Sequence, residues 1–429
     1  MIKKLTLENF KNFKKAELEL GPFTLLVGAN ATGKSNIRDA FRFLNGIGRG
    51  YTIPEIIGEK YISGERVWRG IRGGTQEISN PADKGFSLYV DITESYQSTI
   101  SNAYYHFAVV MTDKDNRLLQ ILFEYLGFSG QKPLFNWSLK EDNMHWADFL
   151  LNEKHLGYPI RNPIIQLIET GKIDPSDDNF LQKKLIEEFG TNVLIDLKSL
   201  SKTIIGAFRS MRFLDLDADA LRMPSFPGQN VLGDRGENLS TVLYDICQDK
   251  QKKRILVEWI RELTPMDASD FEFVPDQVGR ILVTLVEKNG RKTSAYSASD
   301  GTLRFLGILA ALMGPDPTKL YFFEEIENGI HPGRLHLLLE LIEQVTSEGK
   351  IQVVATTHSP QLLVLVSEQT LENASLTYRL EGEPDAHIQR IVDIPNAREI
   401  FKEEDLSRLY ERGWLENSVH FMKNGKKSA

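Results

Sequence analysis

The sequence predicts an α/β fold with an antiparallel β subdomain and a helical insertion. Three short apolar runs suit buried strands of one parallel sheet, namely Phe23–Val27, Leu320–Phe323 and residues 351–355. Residues 37–44 carry apolar side chains at helical spacing after the first run, and residues 333–347 do so between the second and the third. A strand, a helix and a strand in this order predict a crossover connection within one sheet.

We predict four segments along the chain: an N-terminal lobe at 1–136, a helical insertion at 137–208, a C-terminal lobe at 209–395 and a tail at 396–429. Apolar alternation predicts antiparallel strands in the N-terminal lobe at 2–10, 16–20, 86–92, 102–111 and 118–128. Helical spacing within the insertion predicts helices at 144–153, 163–170, 180–189 and 193–208. Residues 45–84 are rich in glycine and charge and are predicted to form loops.

Composition bounds the class of protein and its surroundings. The chain has 429 residues, of which 41% are hydrophobic and 26% charged, a balance that is typical of soluble globular proteins. Its apolar runs are too short to span a membrane, and the N-terminus lacks a signal peptide pattern, so we expect a cytoplasmic location. Cys247 is the single cysteine and is predicted to be a small core residue rather than a reactive thiol. The net charge of −8 argues against a dedicated nucleic-acid binder and leaves a local basic track open.

The first apolar run leads directly into a glycine-rich octet. Residues 28–35, GANATGKS, fit the P-loop pattern G-x-x-x-x-G-K-[ST]. Backbone N–H groups of such a loop, together with the following helix N-terminus, cradle phosphates. In this pattern Lys34 would reach the β- and γ-phosphates, and Ser35 would bind Mg²⁺. The predicted ATP-binding residues are Gly28, Asn30, Ala31, Thr32, Gly33, Lys34, Ser35 and Asn36. The alternative is a chance glycine turn.

A second serine and glycine pair opens a later helix. Ser299, Asp300 and Gly301 precede the apolar segment LRFLGILAALM. A serine hydroxyl and free N–H groups at a helix N-terminus offer a second phosphate site that lacks a lysine. An ordinary N-cap by Ser299 or Asp300 explains the same residues. Both interpretations stay open from the sequence.

Polar residues end the other two predicted strands. Glu324 and Glu325 follow LYFF, where one carboxylate could reach Mg²⁺ and the other a water molecule. The alternative is a solvated acidic turn. His358 follows the strand at 351–357, and we interpret it as a sensor of the γ-phosphate rather than as a structural histidine. We expect His331 to shape a turn and not to bind a metal.

In order and in residues, these motifs resemble the ABC-type ATPase head of the SMC/RecF/OLD group. GANATGKS resembles its Walker A motif, ASDGTLR a degenerate signature, LYFFEE its Walker B motif, ENGIHP its D-loop and TTHSP its switch histidine. FKNF is similar to a segment that contacts adenine in SMC-like heads, which makes Lys11 and Asn12 candidates. The signature has Asp300 where the transporter pattern has glycine, and no Q-loop glutamine can be assigned.

The resemblance implies ATP and Mg²⁺ as cofactors and a nucleotide held between two subunits. Ser35 and Glu324 would bind the metal, while Glu325 and His358 would be catalytic. Ser299, Asp300 and Gly301 would contact the nucleotide of a second subunit. The chain is therefore expected to be an ATPase that works as a homodimer or larger oligomer.

The resemblance also indicates a biological setting. OLD-like ATPases often carry a C-terminal Toprim nuclease, and the chain after TTHSP is too short for that domain. We therefore expect a regulatory subunit of a prokaryotic anti-phage system that controls a separate nuclease effector, without a membrane contact. The alternatives are a RecF-like ATPase that contacts DNA during repair and a nucleotide-gated scaffold that does not hydrolyse ATP. A transporter ATPase is disfavoured by the degenerate signature.

Overall fold

The predicted α/β fold is confirmed in a computed structural model of the chain. The structure describes residues 1–80, 85–96, 99–111, 119–128, 135–138, 200, 202–264, 266–315, 317–359, 361–380, 382–394 and 397. Two compact units divide the chain. The first comprises Met1–Gly21, Ala29–Met211 and Ser375–Arg390, and the second comprises Pro22–Gly28, Arg212–Ala374 and Ile391–Ala429.

The strands in chain order are β1 (Ile2–Phe10), β2 (Phe13–Glu19), β3 (Phe23–Val27), β4 (Lys60–Ile62), β5 (Glu65–Trp68), β6 (Gly85–Tyr96), β7 (Thr99–Met111), β8 (Leu119–Phe128), β9 (Phe135–Ser138), β10 (Met211–Leu214), β11 (Ala268–Pro275), β12 (Ile281–Glu287), β13 (Lys292–Ser294), β14 (Leu320–Phe323), β15 (Gln352–Thr357), β16 (Ser375–Arg379) and β17 (Ala386–Arg390). The helices are α1 (Lys34–Gly48), α2 (Ile53–Ile57), α3 (Gly74–Glu77), α4 (Ala218–Leu221), α5 (Leu239–Gln248), α6 (Lys250–Leu263), α7 (Asp300–Met313), α8 (Leu335–Thr346), α9 (Leu362–Leu365) and α10 (Glu368–Glu372).

The first unit contains a six-stranded antiparallel sheet in the order β2-β1-β6-β7-β8-β9. Leu5 and Leu7 of β1 are fully buried, as the alternation of this segment predicts. Phe43 of α1 packs against Phe86 and Phe107 of the sheet, with ring centroids 5.3 and 5.5 Å away. The P-loop helix is thereby anchored on an aromatic core.

The prediction that residues 45–84 form loops is wrong. Helix α1 continues to Gly48, α2 starts with a capping box formed by Thr52 and Glu55, and β4 and β5 form a hairpin. Glycines here allow close packing: a Cβ atom at Gly46 would lie 2.6 Å from Ile56, and one at Gly48 would lie 2.5 Å from a backbone nitrogen. At Gly46 and Gly48, glycine is therefore required by tertiary contacts of a helix and not by a turn.

The second unit contains strands in the order β10-β14-β15-β3. Strand β15 pairs in parallel with both β14 and β3, and α8 lies between β14 and β15 in the chain. The predicted crossover unit is therefore confirmed. Because these strands run in the same direction, the residues that follow them lie at one edge of the sheet: Glu324 after β14, His358 after β15 and Gly28 after β3.

Helices α5, α6 and α7 and the small antiparallel sheet β11-β12-β13 complete the second unit. Helix α7 is apolar on nearly all sides, and ten of its residues are buried. Among the described residues, no helix is long and apolar enough to cross a membrane. The predicted helices at 144–153, 163–170 and 180–189 and the tail lie outside the described residues, apart from residue 397. Of the helix predicted at 193–208, residues 200 and 202–208 are described and are helical.

Candidate functional site

The P-loop residues 29–36 lie in the first unit and form a compact turn before α1. Ala31 and Gly33 have positive φ angles of 62° and 109°, and α1 begins at the next residue, Lys34. The Thr32 hydroxyl donates to the Ala29 carbonyl at 2.9 Å, and the Lys34 ammonium group donates to the same carbonyl at 2.8 Å. A Cβ atom at Gly33 would lie 2.6 Å from the Phe13 ring, so both the φ angle and the space require glycine there.

The FKNF turn is tied to α1 within the same unit. Lys11 is buried, and its ammonium group lies 2.7 Å from the carboxylate of Asp39, which is 1% exposed. The same ammonium group donates to the Arg72 carbonyl at 2.8 Å. Asn36 donates through its side chain to the Asn12 side chain at 2.7 Å. Lys11 thus serves an internal ion pair, which the sequence did not predict.

In the second unit, His358 contacts both Glu325 and Gly28 at the sheet edge. The imidazole Nε2 of His358 lies 3.0 Å from Oε1 of Glu325, and its Nδ1 lies 3.2 Å from the Gly28 carbonyl oxygen. The Gly28 N–H donates to the carbonyl of Thr357, the last residue of β15, at 3.3 Å. The predicted parallel sheet thus brings the ends of β14, β15 and β3 to one edge, and the first P-loop glycine lies there with His358 and Glu325.

Glu325 adopts a backbone conformation that is unusual for its residue type. Its φ angle is 47°, in the left-handed region, at a cost of about 1–2 kcal/mol. The Thr356 hydroxyl accepts a hydrogen bond from the Glu325 N–H at 3.0 Å and holds this turn. The side chain of Glu325 is half exposed and faces His358, whereas Glu324 is more buried. The turn therefore presents the Glu325 carboxylate to His358.

The tip of α7 lies in the same unit, and its geometry is that of the N-cap, one of the two interpretations left open by the sequence. Ser299 is the N-cap residue: its hydroxyl accepts from the Thr302 N–H at 3.2 Å. Asp300 pairs with Arg222, whose guanidinium group donates to it at 2.5 Å. A Cβ atom at Gly301 would lie 2.1 Å from the Gly329 carbonyl oxygen, so glycine is required for this close approach.

Two charged residues near the predicted site were missed by the sequence reasoning. Glu327 accepts hydrogen bonds from the Thr357 hydroxyl and the His358 N–H, at 2.8 and 2.9 Å. Its place in the ENGIHP segment, next to the carboxylate pair, was the available signal. Arg222 lies 78 positions before Asp300, and no local pattern indicates such a pairing.

The remaining candidates have structural roles. The His331 side chain accepts from the Gly333 N–H at 3.2 Å and caps a short 3₁₀ helix, so it shapes the turn as predicted. Cys247 is partly exposed and not fully within the core, and partial burial raises the pKa of its thiol to about 12. Within the part of the chain that the structure describes, no group of three His, Cys, Asp or Glu side chains could hold a metal ion.

Comparisons with known proteins give two family matches and a curated relative. A model described as "AAA ATPase domain" matches residues 1–208, and one described as "AAA domain, putative AbiEii toxin, Type IV TA system" matches residues 166–364. A protein from Helicobacter pylori named "ATP/GTP phosphatase" is 21% identical over 375 residues, which are 86% of this chain and 88% of that protein.

Similar solved structures include heads of SMC proteins. The SMC head domain from Thermotoga maritima is 13% identical with a TM-score of 0.41, and the match covers 91% of this chain and 98% of that one. An Smc head bound to the C-terminal winged-helix domain of ScpA is 14% identical with a TM-score of 0.46, and the match covers 90% and 97%. An Smc head from Pyrococcus furiosus, bound to the C-terminal domain of ScpA, is 14% identical with a TM-score of 0.42, and the match covers 94% and 98%.

Proposed function

We propose that this chain, which matches two models of AAA ATPase domains and an ATP/GTP phosphatase, hydrolyses ATP that two copies share, and that the association of the copies controls a separate effector. The observation that carries the catalytic part is the cluster of Gly28, His358 and Glu325. In this cluster Gly28, the first residue of the proposed phosphate-binding loop, contacts His358, and His358 contacts the carboxylate of Glu325. A γ-phosphate bound by the loop would therefore meet a base and a sensor that are already in contact.

His358 has the hydrogen-bonding geometry of a sensor. It lies between the Gly28 carbonyl and the Glu325 carboxylate, and both groups only accept hydrogen bonds when the carboxylate is ionised. An imidazole that carries a proton on each ring nitrogen donates a hydrogen bond to each of these two groups. The proton on Nε2 can be donated to Glu325 or to a phosphate oxygen that replaces it. Glu325, once released, orients or deprotonates the attacking water.

Nucleotide binding is assigned to the P-loop. Lys34 would neutralise the β- and γ-phosphates, and the N–H groups at the start of α1 would donate to phosphate oxygens. Ser35 and Glu324 offer a hydroxyl and a carboxylate, which are oxygen ligands of the kind that Mg²⁺ prefers beside phosphates. A bound Mg²⁺ would supply charge neutralisation to the triphosphate. Asn30, Thr32 and the other predicted loop residues would define the cradle.

The second copy is proposed to complete each site through the tip of α7. Ser299 and Gly301 would approach the γ-phosphate from the partner, with Asp300 beside them. ATP binding would close the pair and hydrolysis would open it, because the bridging γ-phosphate is lost. The resulting cycle would be the signal to the effector.

The proposed setting is anti-phage defence, with a nuclease as the effector. One matched family model carries the description "AAA domain, putative AbiEii toxin, Type IV TA system". The order of the motifs resembles that of OLD-like ATPases. We expect cells that express the chain with its neighbouring genes to resist phage infection, and Lys34→Ala to remove this resistance. Unchanged plaque counts with and without the native genes would contradict the defence role. Salt-dependent DNA binding by the purified protein would favour the repair alternative.

Two variants test the site itself. Lys34→Ala should lose ATP binding in equilibrium titration, and an undiminished affinity would refute the role of the P-loop. Glu325→Gln should still bind ATP, fail to release phosphate and accumulate as an ATP-bound assembly in mass photometry. Phosphate release by Glu325→Gln at the parent rate would remove this carboxylate from catalysis.

A further inference from the structure

Glu327 is a charged residue that the proposed chemistry does not use. Its Oε1 atom accepts two hydrogen bonds, from the Thr357 hydroxyl at 2.8 Å and from the His358 backbone N–H at 2.9 Å. Its Oε2 atom is buried and has no hydrogen-bond partner among the described residues. A buried carboxylate with one unsatisfied oxygen costs stability, so its presence requires another explanation.

The two groups that donate to Glu327 belong to Thr357 and His358, so they can fix the backbone from which the imidazole of His358 extends. Thr357 ends β15, and His358 is the first residue beyond the strand. The Glu327 carboxylate holds the chain at this point, because it accepts a hydrogen bond from the N–H of His358 itself. The imidazole then lies within reach of Gly28 on one side and of Glu325 on the other.

The carboxylate also couples two loops. Glu327 lies in the turn after β14 that begins with Glu325, and it binds the turn after β15. Thr356 also links the two segments, because it accepts hydrogen bonds from the N–H groups of Glu325 and Ile326. Glu327 adds the link that reaches His358 itself, and so helps to set the distance between Glu325 and His358. The Thr357 hydroxyl has a second acceptor in the Ser359 carbonyl at 3.2 Å.

We propose that Glu327 is a positioning residue for ATP hydrolysis: it holds the backbone of His358 so that the imidazole stays aligned with Glu325. This inference rests on the proposed role of His358. Glu327 itself touches neither nucleotide nor water in this scheme. A purely structural carboxylate would instead change stability and activity together.

The chain offers a matched control in Glu343. Its Oε1 atom also accepts from one backbone N–H, that of Ser367 at 2.8 Å, and from one threonine hydroxyl, that of Thr370 at 2.5 Å. These contacts hold the start of α10. Glu343→Ala and Glu327→Ala therefore each remove one hydrogen bond from a backbone N–H and one from a threonine hydroxyl, at different places in one unit.

The experiment compares steady-state ATP hydrolysis and thermal unfolding of the full-length variants. Glu327→Ala should lower kcat about tenfold or more and leave KM for ATP within about twofold, because only the orientation of the histidine is lost. Glu343→Ala should lower the unfolding temperature without lowering kcat. Glu327→Gln keeps an oxygen acceptor and removes the buried charge, so its kcat should lie between those of the parent and Glu327→Ala, with no loss of unfolding temperature.

A double variant tests whether Glu327 acts through the histidine. In a His358→Ala background, Glu327→Ala should lower kcat no further. A full additional loss there, or a parent-like kcat for Glu327→Ala, would overturn the inference while leaving the proposed function intact. A parent-like kcat for His358→Ala would instead refute the proposed role of His358, and this inference with it. If Glu327→Ala does not fold, Glu327→Gln replaces it in the same test. A loss of kcat caused by Glu327→Gln that is equally large in the His358→Ala background contradicts the positioning role.

Discussion

Replacing Arg222 with alanine should impair the association of two copies more than it impairs folding. Asp300 stands at the tip of α7, where the proposed partner's triphosphate would approach, and a carboxylate there repels phosphate. The guanidinium group of Arg222 donates to Asp300 at 2.5 Å and to the Ala298 carbonyl at 3.2 Å. It neutralises the carboxylate and fixes the chain just before Ser299.

The structure indicates different magnitudes for the two effects. The Asp300 side chain is 64% exposed, so solvent screens the ion pair and limits its contribution to stability to about 1 kcal/mol. An uncompensated carboxylate about 6–8 Å from one phosphate charge, at an effective dielectric constant of about 20–40, would cost about 1–3 kcal/mol. Arg222→Ala should therefore weaken ATP-dependent association roughly 5- to 100-fold.

The assay measures ATP-dependent association by mass photometry in the Glu325→Gln background, which prevents turnover. Adding Asp300→Asn to Arg222→Ala should restore association, because the repelling charge is gone. Arg280→Ala is the control, since Arg280 pairs with Asp276 in the β11–β12 turn at 2.7 Å. Equal association of the parent and Arg222→Ala, or a double variant as weak as the single one, would refute the charge argument.

Two further predictions concern the interior. Asp39→Ala leaves the buried Lys11 ammonium group without its carboxylate and should destabilise the first unit by about 3–5 kcal/mol, measured by chemical denaturation; an unchanged midpoint would show that the pair contributes little. Cys247, whose pKa is raised to about 12 by burial, should react with iodoacetamide at pH 8 far more slowly in the native protein than in denaturant; equal rates would contradict its burial.

The parts of the site that the sequence predicted are those in which a local pattern carries the chemistry. The octet that ends in Lys34 and Ser35 contains its own strand, turn and helix signals, so its conformation follows from neighbours in the chain. Glu325 and His358 each follow a short apolar strand, and parallel strands bring their ends together. The strand assignments therefore placed both residues at the same sheet edge, and the structure shows that they are in contact there although they are 33 positions apart.

The parts that were missed depend on partners that are distant in the sequence. Gly46 and Gly48 suggest a loop by composition, yet both lie in α1. Glycine is needed at these positions because neighbouring elements pack too closely for a side chain. The pairing of Arg222 with Asp300 has no local signature. The positive φ angle of Glu325 depends on the hydrogen bond from its N–H to Thr356, which only the paired strands provide.

Mixing two inactive variants tests most directly whether two copies share one nucleotide. Lys34→Ala removes the P-loop cation and leaves the tip of α7 intact, whereas Ser299→Asp keeps a good N-cap residue and places a negative charge against the partner's phosphate. Each variant alone should be inactive. Random pairing makes about half of the dimers mixed, each with one intact site of two, so the mixture should recover about one quarter of the parent ATPase activity. A mixture as inactive as its components, beside an active parent, would contradict the shared site.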